Sequence, residues 1–166
     1  MIARILFVII LSLHATKGLS VELPIEIHEK VELLSKEGNA LADNAKYREA
    51  TQKFVDALNL LPEPIENWEA CTWLLVAIGD VNYLQGAFEP AKKAFSDAMH
   101  CPNSVGNPFI HMRLGQSQFE LGNTERAADE LARAYMGAGK EIFEGGDPKY
   151  FNFLKTVLKP PADGQW

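Results

Sequence analysis

Small and large apolar residues recur at fixed intervals along the chain from Leu23 onward. A glycine starts each unit, alanines follow it after 12 and 19 residues, and Phe or Leu follows it after 16 residues. The positions are Gly38, Ala50, Phe54 and Ala57, then Gly79, Ala91, Phe95 and Ala98, then Gly115, Ala127, Leu131 and Ala134. These spacings predict two antiparallel helices in each unit, joined by a short turn.

The recurring glycines are predicted to lie within helices, where glycine costs about 1 kcal/mol relative to alanine. That cost is tolerated where a second helix must approach closely, and the alanines of the returning helix would provide the other side of the contact. Another small residue follows each glycine after seven residues, at Ala45, Gly86 and Gly122. We expect these residues to form the turn, with an aromatic residue such as Phe88 folding back over it.

This pattern resembles the tetratricopeptide-repeat family, whose 34-residue unit carries glycine, alanines and a proline in this order. The repeats would cover 31–64, 72–105 and 108–141, with Pro62 in register, Pro102 one place early and no such proline in the third. The resemblance implies an all-α protein, a right-handed α-solenoid of helical hairpins that forms one domain over 21–159. The longer spacings between repeats lengthen the connections, and "EPIENWEAC" (63–71) is expected to extend the next helix by about two turns.

A capping helix is predicted over 147–158, because solenoids need a terminal element with a polar outer face. Asp147 is a candidate N-cap and Pro148 suits the first helical position. The expected apolar face of this helix consists of Phe151, Leu154, Val157 and Leu158. Residues 160–166 are expected to be a frayed tail.

The segment 1–20 has two interpretations. Arg4 precedes the apolar run Ile5–Leu13, as in a signal peptide, although the cleavage region fits poorly. The run is too short to span a bilayer, which takes about 20 apolar residues. Alternatively, the start codon is set too early, and translation begins at Leu19 or Val21. A real signal peptide over 1–18 predicts a secreted or periplasmic protein, and a mis-set start predicts a cytoplasmic one.

Charge and cysteine content narrow the function further. The net charge is −6, and 22 acidic residues stand against 14 basic ones after Ser20. Such an acidic chain is not expected to bind nucleic acid non-specifically, since that requires a basic face.

The two cysteines, Cys71 and Cys101, form a bridge only if the fold brings their Cα atoms within about 7 Å. Two partly buried free thiols are the preferred interpretation.

No pattern typical of an enzyme stands out. "GAGKE" (137–141) partly matches a phosphate-binding loop, but Ala134 occupies the place of the upstream glycine and Glu141 that of Ser or Thr. The histidines His28, His100 and His111 lack the spacing of metal ligands. We therefore expect no catalytic residues, no metal and no cofactor.

The resemblance implies that the first helix of each hairpin lines a concave groove. The side chains expected to bind a partner there, called the groove residues below, are Asn39, Trp73, Asp80, Tyr83, Phe109, Met112, Arg113, Gln116 and Phe119. Aromatic residues and Met are frequent at binding hot spots. Two alternatives remain, since the groove is either open to a partner or filled by the C-terminal helices of the same chain.

The expected function is a non-enzymatic module that binds a protein or peptide segment in this groove. The chain would have no membrane span and would be a monomer or a weak homo-oligomer. One alternative is an immunity or antitoxin protein that occludes a bacterial toxin; another is an enzyme using Asp80, Arg113 and Glu120. A clamp for a chaperone's C-terminal carboxylate is disfavoured, because Ser35 and Met112 stand where that subfamily has lysines.

Overall fold

The computed structural model describes residues 22–160 together with Gly164 and Trp166. Within this part of the chain, seven α-helices follow one another, with two short 3₁₀ helices and no β-strand. The α-helices are α1 (Ile25–Asp43), α2 (Tyr47–Leu58), α3 (Glu69–Leu84), α4 (Phe88–Ala98), α5 (Pro108–Glu120), α6 (Thr124–Ala138) and α7 (Pro148–Val157). The 3₁₀ helices are Ile65–Asn67 and Lys140–Phe143. The expected all-α class is confirmed, whereas the interpretations of residues 1–20 and of most of the tail lie outside the described residues.

The first six helices form three hairpins, α1 with α2, α3 with α4, and α5 with α6. The recurring glycines lie at the contact within each hairpin, as their spacing predicts. A Cβ atom on Gly79 would lie 2.8 Å from the ring of Phe95, and one on Gly38 would lie 2.8 Å from the ring of Phe54. The large residue of the returning helix, rather than its alanines, therefore lies directly on the glycine.

The hairpin turns use the small residues that the sequence placed there. Gly86 and Gly122 have φ values of 79° and 78°, a backbone conformation that costs glycine little. Ala45 takes the same place in the first hairpin with φ of 57°. Phe88 folds back as expected, since its ring meets that of Tyr83 edge-on with centroids 5.7 Å apart.

The connection between the first two hairpins differs from the expectation. The predicted two-turn extension of α3 is wrong: Ile65–Asn67 forms a separate 3₁₀ helix, Trp68 is extended, and α3 begins at Glu69. Pro62 and Pro64 explain the break, because each lacks an N–H and disfavours helix in the residue before it. The Trp68 indole N–H donates to the carbonyl of Pro62 at 2.7 Å, which fastens the connection.

The two cysteines are joined, contrary to the preferred interpretation. Cys71 in the first turn of α3 and Cys101 just after α4 form a disulfide, with Cα atoms 5.9 Å apart. An antiparallel hairpin returns the end of its second helix to the start of its first, and this brings the two residues together. Both side chains are buried.

The helix α7 forms where it was predicted, and Phe151, Leu154 and Leu158 of its expected apolar face pack on the core, whereas Val157 does not and Tyr150 takes part as well. The Asp147 carboxylate accepts a hydrogen bond from the Lys149 N–H at 2.9 Å, and Pro148 is the first helical residue. Tyr150 and Leu154 are buried, whereas Val157, expected on the apolar face, is 48% exposed. None of the helices in residues 22–160 combines the length and apolar composition needed to cross a bilayer.

Candidate partner-binding groove

The groove residues lie on three first helices. Asn39 is on α1; Trp73, Asp80 and Tyr83 are on α3; Phe109, Met112, Arg113, Gln116 and Phe119 are on α5. Asp80, Met112 and Gln116 are buried, and the other six are half-buried. Half-buried aromatic side chains on first helices are what a contact surface for a partner requires.

Arg113 is the centre of the groove. Its Nε lies 2.6 Å from Oδ1 of Asp80, and the side chains of Arg113 and Asp80 are only 15% and 5% exposed. Its Nη1 donates to Oε1 of Gln116 at 3.0 Å. The guanidinium also lies over two rings, 4.4 Å from the centroid of Tyr83 and 5.4 Å from that of Phe109. Five of the nine groove residues thus form one connected group.

The buried ion pair joins α3 to α5 and so links the second hairpin to the third. Burial raises the pKa of the Asp80 carboxyl, because it penalises the charged form, and the charge of Arg113 opposes this rise. Within residues 22–160, neither Asn39 nor Trp73 takes part in these hydrogen bonds and ion pairs. The nine groove residues therefore divide into the group of five around Arg113, two outlying residues, Asn39 and Trp73, and two members of the C-terminal apolar cluster, Met112 and Phe119.

Residues of α7, which the sequence did not assign to the groove, complete its C-terminal half. The Tyr83 hydroxyl donates to the Tyr150 hydroxyl at 2.7 Å, and Tyr150 donates to Oε1 of Glu120 at 2.6 Å. The Nζ of Lys149 lies 2.7 Å from the same Glu120 oxygen. Burial, the bond to Glu120 and the bond from Tyr83 all raise the pKa of Tyr150, so its hydroxyl keeps the proton that it donates.

Aromatic contacts close this half further. Phe119 meets the rings of Tyr150 and Phe153 with centroids 5.6 and 5.0 Å apart. Met112 and Leu154 are buried in the same cluster. The C-terminal half of the groove is thus occupied by α7 of the same chain.

The N-terminal half has no such covering helix in the described part of the chain. Trp73, Val76 and Ala77 on α3 are half-buried, while Glu32 and Lys36 on α1 are exposed. We call this the open half of the groove.

A separate cleft of about 520 Å³ lies away from it, between α2 and the α3–α4 turn, and its lining includes the polar residues Arg48, Gln52 and Gln85. Within the described residues, no group of three His, Cys, Asp or Glu side chains is placed to hold a metal ion.

Comparison with known proteins gives similarity in structure only. No family model and no curated protein matches the sequence. The first TPR domain of Spaghetti (RPAP3), solved bound to the HSP90 peptide SRMEEVD, superposes with a TM-score of 0.58 at 18% identity, over 84% of this chain and 95% of that one. The Sgt2 TPR domain from Aspergillus fumigatus gives 0.54 at 21% identity, over 76% of each chain.

The fold is the tetratricopeptide-repeat fold. The three hairpins are the repeats of an α-solenoid, and the resemblance drawn from the recurring glycines and alanines is confirmed at the level of the fold. In a tetratricopeptide-repeat protein, α7 corresponds to the element that follows the last repeat.

Sequence reasoning missed Tyr150 and Lys149 as groove contacts. A signal was present, since Tyr150, Phe153 and Leu154 are spaced for one helix face. The predicted face shared Leu154 with the observed one but omitted Tyr150, because only apolar residues were counted. A tyrosine with a buried hydroxyl needs a hydrogen-bond partner, and only the fold shows that Tyr83 and Glu120 provide it.

Proposed function

We propose that this protein is a non-enzymatic interaction module that binds a protein or peptide segment in its groove. The fold supports this, because the first helices of such repeats present one continuous surface. The RPAP3 domain that superposes on most of this chain was solved with a peptide bound. A segment lying in the groove would bury aromatic side chains and pair with a few polar groups.

The observation that carries the proposal is the aromatic and cationic surface around Arg113. Tyr83 and Phe109 hold the guanidinium between them and remain half-buried, and Trp73 stands on the same helix as Tyr83. Trp, Tyr and Arg are the residues most enriched among binding hot spots. The ion pair with Asp80 holds Arg113 in place, so a partner would meet a surface that is already ordered.

The peptide of the RPAP3 complex is not proposed as a ligand here. A clamp on a terminal carboxylate needs free cations in the groove. Ser35 and Met112, which stand where lysines would serve that purpose, are buried, and Arg113 is engaged by Asp80. The proposed ligand is therefore recognised mainly through apolar contacts.

Substitution of Trp73 in the open half tests the proposal. We expect Trp73→Ala to lose partners that the wild-type protein retains in a pulldown from its native source, because the indole provides the largest apolar area of the open half. Val105→Ala is the matched control, since Val105 is 85% exposed in the loop after α4. Circular dichroism confirms that both variants are folded. Equal retention by Trp73→Ala and wild type would contradict groove binding.

We also propose that the protein functions in an oxidising compartment. The Cys71–Cys101 disulfide supports this, since such bridges persist outside the reducing cytosol. The signal-like character of residues 1–18 agrees with it. The test is alkylation of the protein from its native source, unfolded in urea without reductant so that the buried cysteines become accessible. A bridged protein takes up no label, and labelling of both cysteines would favour the cytoplasmic alternative.

A further inference from the structure

The helix α7 lies on the groove in the way that a bound ligand would. Tyr150, 3% exposed, and Leu154, fully buried, point into the cluster formed by Met112 and Phe119. Phe153 covers the other side of the Phe119 ring. The contact thus depends on three side chains of α7, at positions i, i+3 and i+4 of one helical face.

A polar contact accompanies the apolar one. Glu120 accepts hydrogen bonds from both Tyr150 and Lys149, and Tyr83 donates to Tyr150. The carboxylate at the edge of the groove thereby selects for a donor and a positive charge on whatever helix lies there. A segment ending in acidic residues would be repelled at this place.

The connection to the third repeat allows α7 to leave without unfolding the repeat. Gly145, with φ of 77°, and Gly146 link α7 to the preceding 3₁₀ helix, and both are exposed. Phe143 just before them is buried, and its ring stacks on that of Phe151 of α7 with centroids 5.2 Å apart. Rotation at the two glycines would lift α7 and give up this contact, while the hairpin of α5 and α6 stays folded.

We infer that α7 is an internal ligand, and that the C-terminal half of the groove binds in its place an amphipathic helix from a partner protein. The partner helix would carry a basic residue, then Tyr, with an aromatic and an aliphatic residue three and four positions after that Tyr. The inference rests on the proposed function and specifies its ligand as helical and basic rather than extended and acidic. The surplus of acidic residues in the chain favours such a partner.

Competition between the two helices sets the apparent affinity. A tethered helix acts at an effective concentration of the order of millimolar, so it excludes a partner that binds weakly. The affinity measured for the partner is its affinity for the open form multiplied by the fraction of molecules in which α7 is open. Weakening the contacts of α7 alone should therefore tighten binding of a helix added in trans.

The experiment uses a fluorescent synthetic peptide of residues 146–159 as the probe and the full chain as the receptor. We expect weak binding to wild type and about ten-fold tighter binding to Tyr150→Phe, which removes the two hydrogen bonds of the Tyr150 hydroxyl but leaves Tyr83 and Glu120 to receive the peptide. Tyr47→Phe, which alters a tyrosine on α2, should bind like wild type. A peptide with the same Tyr→Phe change should bind more weakly to every receptor.

Hydrogen exchange provides the second readout. In Tyr150→Phe, the amides of 148–157 should exchange faster while those of α3 and α5 do not, because only α7 opens. If Tyr150→Phe fails to fold, Lys149→Gln is the replacement variant, because it removes the positive charge that pairs with Glu120 from the exposed side of the contact.

Several outcomes would overturn the inference. Equal binding to wild type and Tyr150→Phe, binding to neither, or exchange of α7 only with global unfolding would make α7 a fixed cap. Dimers of Tyr150→Phe with α7 exchanged between copies would assign the site to a second copy of this chain. None of these results affects the pulldown with Trp73→Ala, which reports on the open half and therefore tests the proposed function separately.

Discussion

Arg113 holds two kinds of neighbour at once, a buried carboxylate and two aromatic faces. Its side chain leaves water to pair with Asp80 at 2.6 Å, and its guanidinium plane rests against Tyr83 and Phe109. A buried charge left without its partner is costly, whereas an exposed pair contributes little. The Arg113–Asp80 pair should therefore matter for stability, whereas the exposed ion pairs of the same molecule should not.

Removing the Arg113 charge should destabilise the fold strongly. We expect Arg113→Met to lower the free energy of unfolding by about 3 kcal/mol, because the buried Asp80 carboxylate loses its counter-charge. Arg133→Met is the matched control: Arg133 pairs with Asp129, but both side chains are about half exposed, so the free energy of unfolding should stay close to that of wild type. Urea denaturation measures both. The double variant Asp80→Asn/Arg113→Met should be more stable than Arg113→Met alone, and an equal or lower stability would contradict this account.

Sequence reasoning reached some of these residues and not others. The repeat spacing placed Asp80 and Arg113 on first helices, because it recurs three times, and the resemblance to tetratricopeptide repeats implied that both face the groove. Their pairing could not be predicted, since it depends on how α3 and α5 stack. Cys71 and Cys101 were misjudged for the same reason, because a separation of 30 residues carries no distance until the hairpin is folded.

At the scale of the elements, the attachment of α7 depends in part on titratable groups. Burial raises the pKa of Glu120, but the hydrogen bonds from Lys149 and Tyr150 and the charge of Lys149 outweigh it, so the pKa lies below its usual value. Asp147 also faces Lys149, whose backbone N–H is the main cause that lowers the pKa of Asp147. Tyr83 and Tyr150 are the other titratable groups at this contact, and burial raises the pKa of each.

The stabilisation from Glu120 should disappear in acid. A carboxylate whose pKa is lower in the folded state stabilises the fold above its unfolded pKa of about 4.3, and this stabilisation is lost as the pH falls through the folded value. We expect wild type to unfold at a higher temperature than Glu120→Gln at pH 7, and the difference to shrink below about pH 4. The exposed Glu144 provides the control Glu144→Gln, which should match wild type throughout. A difference that stays constant with pH would contradict the role of the ionised carboxylate.

Element boundaries were predictable where local chemistry determines them. The start of α7 followed from Asp147 and Pro148, an N-cap and a first-turn proline. The start of α3 did not, because the apolar residues of "EPIENWEAC" suit a helix while Pro64 and the Trp68 hydrogen bond to Pro62 disrupt one. The helix propensity of this segment is thus opposed by the Trp68–Pro62 hydrogen bond, which forms only once the connection is folded.

At the scale of the whole molecule, successive hairpins pack on each other through α2 on α3 and α4 on α5. Stability in such a stack is close to a sum of repeats and their interfaces. The disulfide joins the two ends of the central hairpin, which is the repeat on which both other hairpins pack.

Reduction of the disulfide should therefore weaken the entire domain. The chain-entropy estimate for a bridge that closes about 30 residues is about 4 kcal/mol of stability. Urea denaturation with and without a phosphine reductant measures the loss. The variant Cys71→Ser/Cys101→Ser should match the reduced wild type and should not respond to reductant. Identical curves for oxidised and reduced wild type would contradict a stabilising bridge.

The same bridge has a mechanical consequence. A chain pulled from its two ends cannot extend through a closed covalent loop. The segment between Cys71 and Cys101, which are 30 positions apart, would stay hidden from the applied force, and the fully stretched molecule would be about 100 Å shorter than its reduced form. The central hairpin is thus a segment whose helices can melt under tension without releasing their length.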